Sequence, residues 1–144
     1  MPVWNIYHPV DAYSDHDKKS FAKAITAMYS HIPKFYVNVL FCEIRSESFF
    51  VGGVAMDNFV RIVVTHIARH LTPEKRAHRV ESINQVILPF VGGRGFDWEF
   101  HIDETPFDLW SIQGFPPPPP NSEEEKMWAR ENRPSEWRNA TGDV

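Results

Sequence analysis

The chain has 144 residues, of which 42% are hydrophobic and 14% aromatic, and a formal net charge of -4. This composition suits a folded unit with a core of its own and excludes a disordered chain, while the acidic balance argues against a nucleic-acid binder, which shows a basic face. The single cysteine, Cys42, cannot form an intrachain disulfide and fits a reducing compartment; with no apolar leader and no run long enough to span a bilayer, the expectation is a cytoplasmic protein without a membrane partner.

Residues 2–8 alternate, with Val3, Asn5 and Tyr7 on one side and Trp4, Ile6 and His8 on the other, which predicts a strand. Pro2 follows the initiator methionine, which is generally removed when the next residue is proline. Trimming leaves a terminal secondary amine, the only one of its kind that the twenty residues supply. Ser14 can cap a helix with Asp17 as capping-box partner. Phe21, Ala24, Ile25, Met28 and Ile32 recur at helical spacing, so a helix is expected over about 15–31, stopped by Pro33. KFYVNVLFCEI (34–44) is β-branched and aromatic and reads as a second strand, and FFVGG (49–53) as a short strand ending in a Gly-Gly turn.

The pattern then repeats. NFVRIVVTHIA (58–68) is the most strand-like stretch, and Thr72-Pro73-Glu74 starts a second helix with apolar face Val80, Ile83, Val86 and Ile87. FDWEFHI (96–102) is a further strand. Two tandem βαβ units, about 2–57 and 58–115, predict an α/β (α+β) fold: a four-stranded sheet with parallel pairs and both helices on one face. The other sheet face needs a cover, and no third long helix follows, so oligomerisation is expected. Residues 116–144 form a different region. Pro116 to Pro120 must be extended and stiff, either a rigid spacer or a ligand for an aromatic groove. Ser122 caps a short helix with Glu123, Glu124 and Glu125 in its first turn, and Met127 and Trp128 can dock it.

A strand starting at Pro2, two βαβ units, and the segments MPVWNIY, FAKAITAMY, FYVNVLF, FVGG, NFVRIVVTHIAR and GFDWEFHIDETPFDLW together resemble the tautomerase superfamily. The chain is most similar to the branch that looks like cis-3-chloroacrylic acid dehalogenase, and within it to fungal proteins described as oxalocrotonate tautomerases. The resemblance implies a tautomerase fold over 1–115 and a homotrimer. It also implies an amino-terminal proline in a pocket partly built by adjacent subunits, and proton transfer on small keto, enol or unsaturated carboxylic acids without cofactor. By the same resemblance Arg69 is the carboxylate ligand, with adjacent His70 as a substitute for the motif's second arginine, since Leu71 and Thr72 stand where that arginine would be. Tyr29 occupies the place of the motif's helix histidine, and is either a hydrogen-bond donor to substrate or packing. In the last strand His101 is the polar candidate. The motif's water-activating glutamate is replaced by Ile112-Gln113, and neither residue can act as a base, although Asp103 and Glu104 are near in sequence. Hydratase, dehalogenase or decarboxylase chemistry in the same pocket, or a non-catalytic trimeric binding protein, are the alternatives.

The remaining constellations are weaker. Trp98 and Trp110 bracket the site region, and Trp110 is a candidate wall for the substrate. Arg61 and Asn38 either line the pocket or face a partner. His66 and His70 are four apart, but the first lies on a strand, so helical metal-ligand spacing fails and no metal is expected. Lys75, Arg76, His78 and Arg79 read as a solvated basic helix face.

Overall fold

In a computed structural model, residues 1–67 and 72–137 are described. The chain forms β1 (Pro2–Pro9), α1 (Asp15–Ala27), β2 (Asn38–Ile44), β3 (Phe50–Val51), β4 (Val54–Ala55), β5 (Phe59–Ile67), α2 (Pro73–Ile87), β6 (Asp97–Thr105) and α3 (Glu123–Glu131). The main sheet has the order β2-β1-β5-β6. β1 runs parallel to β2 and β5 parallel to β6, and the two halves meet through antiparallel β1 and β5. This is the expected pair of βαβ units. Alternation decides the faces. Pro2, Trp4, Ile6 and His8 of β1 are buried, as are Val60, Ile62 and Val64 of β5. Phe21 and Ile25 of α1 and Ile83 and Ile87 of α2 close the core over that face. The opposite face carries Val3, Asn5, Tyr7, Leu40, Cys42, Arg61, Val63 and His101 in register, and Leu40 is 46% exposed.

Three boundaries differ from the sequence expectation, each for a local reason. α1 ends at Ala27 with Met28 as C-cap, and Tyr29 N–H donates to the Thr26 carbonyl at 3.0 Å and Ile32 N–H to the Tyr29 carbonyl at 3.1 Å. These tighter i to i+3 bonds replace the helical ones as the chain approaches Pro33, which disfavours helical backbone in the residue before it. Residues 34–36 form a 3-10 turn, not strand. Val37 N–H is spent inside that turn on the Lys34 carbonyl at 3.0 Å, and the ladder with β1 starts only at Val3 opposite Asn38. β6 extends to Thr105 because β5 offers partners as far as Ile67. Between the units, Gly52 and Gly53 (φ 58 and 84) turn a hairpin of β3 and β4, a conformation that most residues would enter at a steric cost.

The proline segment is strapped to the chain's own body. Pro117 and Pro118 are buried, and Trp137 Nε1 donates to the Pro116 carbonyl at 2.8 Å. It leads into α3, where Ser122 accepts from Glu125 N–H at 3.1 Å as cap. Trp128 is fully buried, with its ring 6.2 Å from Tyr36 and 6.0 Å from Phe35, and its Nε1 donates to the Ser135 carbonyl at 3.0 Å. A groove partner for the prolines would have to displace them from this packing. Trp128→Ala should destabilise the protein by about 3–5 kcal/mol, as deletion of a buried tryptophan does; urea unfolding measures it, and an unchanged midpoint would mean that α3 does not contribute to the core.

Candidate active site

At the end of the sheet where β1 begins, three strands place three residues side by side. Pro2 pairs with His66, and His66 pairs with Glu104. The pleat turns the first two toward the helices, because Pro2 shares parity with Trp4 and His66 with Val64. Tyr29, in the tightened turn after α1, and Arg79 of α2 complete the enclosure. A cavity of about 60 Å³ results, lined by Met1, Pro2, Tyr29, His66, Arg79 and Glu104, with His31, Ile32 and Ile67 at its margin.

A hydrogen-bond chain fixes the protons in this cavity. Trp4 Nε1 lies 3.2 Å from the Tyr29 hydroxyl oxygen, and that oxygen lies 2.9 Å from His66 Nε2. An indole N–H can only donate, so Tyr29 accepts from Trp4, and with His66 neutral and its proton on Nδ1 the Tyr29 proton goes to His66 Nε2. The electrostatics agree. Burial pushes the His66 pKa down to about 4, helped by the Arg79 guanidinium and then by the chain's terminal amine. Burial also pushes the Tyr29 hydroxyl up to about 12, against the opposing pull of the Trp4 bond and of Arg79. Tyr29 stays a phenol, and His66 an uncharged base, across the neutral range.

The sequence candidates divide. The structure brings Pro2 and Tyr29 into one cavity. Arg69 and His70 lie outside the described residues. His101 sits on the opposite face of the sheet, where Arg61 Nη2 donates to its Nδ1 at 2.7 Å and its Nε2 lies 3.2 Å from Asp103. Arg61 also pairs with Glu99 on that face. Trp110 is half-buried, does not line the Pro2 cavity, and has a buried Nε1 with no partner among the described residues. Asn38 turns its side chain to the Tyr36 carbonyl at 3.3 Å.

His66, Arg79 and Glu104 line the cavity without having been among the candidate site residues, Glu104 having been read only as near in sequence. His66 had a legible signal, since it continues the inward alternation of Val60, Ile62 and Val64. Arg79 had one too: it stands four residues before Ile83, which stands four before Ile87, so the spacing that defines the apolar stripe turns it inward. The reading of the whole basic run as solvated is thus corrected at one position. Lys75, Arg76 and His78 are exposed, whereas Arg79 is half-buried, with its guanidinium carbon 6.0 Å from the centre of the Tyr29 ring.

Residues 1–133 match a protein family described as "Putative oxalocrotonate tautomerase enzyme". The chain belongs to this family. Among solved structures, this tautomerase-family chain is similar to native RhCC from Rhodococcus jostii RHA1, with 47% identity over 94% of this chain and 99% of that one and a TM-score of 0.90. It is also similar to a protein from the thermophilic fungus Aspergillus fumigatus, with 38% identity over 95% and 98% of the two chains and a TM-score of 0.89. N1, a member of the cis-3-chloroacrylic acid dehalogenase family, shares the fold at 15% identity, covering 90% of this chain and 97% of its own, with a TM-score of 0.71. No protein with a curated description matches. Among the described residues no helix is long and apolar enough to cross a membrane.

Two measurements follow from the cavity's hydrogen bonds. Tyr29→Phe leaves Trp4 Nε1 and His66 Nε2 unpaired and should lower stability by about 1–3 kcal/mol in chemical unfolding. The folded pKa of His66 is depressed, and that of His8 is lowered too by burial. The unfolded chain therefore takes up more protons as pH falls. Their contribution is complete above about pH 6.5, the unfolded histidine value, and is lost as pH falls toward about 4. A midpoint that stays level from pH 7 to pH 5 in thermal unfolding would contradict the neutral state of His66.

Proposed function

We propose that this protein is a tautomerase-type enzyme that uses Pro2, freed as the amino terminus by removal of Met1, as general acid and base on a small keto, enol or unsaturated carboxylic acid. The observation that carries the reading is the position of Pro2: it is buried at the wall of a small cavity that also takes in a phenol, a neutral imidazole and a guanidinium. Removal from water disfavours the charged amine, and the Arg79 cation disfavours it further, so the nitrogen can be neutral near pH 7. A neutral amine takes the hydroxyl proton of a bound enol, and the resulting ammonium returns a proton to the neighbouring carbon as the carbonyl forms. Tyr29 keeps its proton at neutral pH and, by turning it from His66 Nε2 to the bound substrate, can donate to the oxygen on which charge develops.

Arg69, with His70 beside it, is proposed to hold the substrate carboxylate by the bidentate geometry that a guanidinium offers. His101 and Trp110 do not line this chain's own Pro2 cavity, so in this reading they contact substrate only across a subunit boundary. A homotrimer would supply one. The apolar residues on the open sheet face give such a contact its material, and a fused 4-OT of the same fold is described as an asymmetric trimer. A second reading is favoured by one observation. Glu104 lines the cavity, and a carboxylate there is able to activate water for hydration of an unsaturated acid.

Intact mass should be one methionine below that of the full sequence. Pro2→Ala should then lower turnover of an enol acid by at least about tenfold, the low side of what a positioned acid–base group contributes. Wild-type turnover by that variant would exclude the proline mechanism. Parallel assays on enol acids and 3-haloacrylates separate tautomerisation from hydration, and sedimentation as a stable monomer would exclude the trimer.

A further inference from the structure

Resting on the reading of Tyr29 as the donor to the substrate oxygen, we infer that Trp4 is a positioning residue of the site: its indole N–H dictates where the Tyr29 proton can point and holds the charge that the Tyr29 oxygen gains during the reaction. Trp4 sits two residues along β1 from Pro2, on the same face, and is wholly buried. Two ladders hold its backbone, since it pairs with Val39 of β2 and with Val64 of β5. Its Nε1 lies 3.2 Å from the Tyr29 hydroxyl oxygen. Tyr29 is held as firmly. It is buried, its backbone N–H donates to the Thr26 carbonyl at 3.0 Å, and its carbonyl accepts from Ile32 N–H at 3.1 Å. The fold thus sets both ends of this bond before a substrate arrives, as a preorganised donor requires.

An N–H that can only donate has two consequences for the phenol beside it. The first is aim. The hydroxyl proton cannot face another donor, so it is kept off the Trp4 side of the oxygen. At rest it meets His66 Nε2 at 2.9 Å. With substrate bound it turns to the substrate oxygen, and the Trp4 bond persists through the exchange. The second consequence is charge. A phenol that donates to a forming oxyanion takes up part of its negative charge, and a fixed N–H stabilises that charge without having to move. The resting electrostatics point the same way: the Trp4 bond draws the Tyr29 hydroxyl toward acidity, although burial outweighs it and holds the group at about 12. A hydrogen bond accepted by an oxygen also strengthens the one it donates. Trp4 acts through Tyr29, and no proton has to leave either residue.

The test is a double-mutant cycle on the full chain, read by turnover of phenylenolpyruvate, an enol acid whose ketonisation changes its absorbance. Trp4→Phe removes the N–H and keeps an aromatic ring. A second variant carries benzothienylalanine in place of Trp4, which keeps the bicyclic shape with sulfur where the N–H stood, so lost packing in the first variant does not decide the result. Both should lower kcat by about three- to tenfold, the factor one hydrogen bond carries, with KM nearly unchanged. In a Tyr29→Phe background the same replacements should change kcat by less than about twofold. The nitrogen NMR shift of His66 Nε2 should move toward that of an unbonded imidazole, because Tyr29 then donates more weakly. An equal loss of kcat in both backgrounds, wild-type turnover by the benzothienyl variant, or an unchanged His66 shift would each overturn the assignment while leaving Tyr29 as donor. Wild-type turnover by Tyr29→Phe alone would remove the donor reading, and this assignment with it. Pro2→Ala judges the proline mechanism separately.

Discussion

The antiparallel pairing of β1 with β5 is the constraint on which the rest of the molecule depends. It joins two halves that are otherwise separate strand–helix–strand units, and it places Pro2 directly opposite His66. The ladder continues one residue further, where Ile67 N–H donates to the Met1 carbonyl at 3.2 Å. Because side chains alternate along a strand, a slip of one residue would turn Pro2 to the open face and remove it from Tyr29 and Arg79. The same slip would expose Trp4 and Ile6. Core burial therefore holds the register, and the register holds the site.

The polar groups at that end of the sheet are arranged so that burial sets their state. Tyr29 is nearly enclosed and must satisfy both its oxygen and its proton. Trp4 supplies the one need and His66 the other. A consequence is that His66, which on an exposed surface would titrate near neutrality, holds its neutral form well below pH 7. Arg79 is then the positive side chain among the described residues lining the cavity, and its field falls on the proline nitrogen and on any anion that enters.

The carboxyl-terminal region connects to this arrangement through packing. Residues of α1 and of the turn after it, including Thr26, Tyr29, Ser30 and Ile32, share a groove with Ala129, Arg130 and Asn132 at the end of α3. Asn132 also accepts from the Phe35 backbone N–H at 3.2 Å. The stiff proline strap, with Pro117 and Pro118 buried, leads to α3, whose Trp128 packs on Phe35 and Tyr36. The segment that follows the Tyr29 turn is thus held by a helix distant in sequence, through Phe35 and Tyr36.

The sequence by itself determined the elements and their order. Alternation in MPVWNIY and NFVRIVVTHIA, helical spacing in FAKAITAMY, and the caps at Ser14, Thr72 and Ser122 are local signals, each set by backbone geometry within a few residues. They suffice for two βαβ units, and Pro2 and Tyr29 are legible as candidates from the segments that resemble the tautomerase superfamily. Only the tertiary structure decided what stands around Pro2. His66 acquires its role from a strand partner 64 positions before it, and Arg79 from the depth at which α2 lies over the sheet. His101 turns to the open face through the register of β6 with β5, while the cavity's Glu104 lies three residues further along the same strand. Such placements arise from pairings between distant segments, and no short window of sequence contains the partner that fixes them.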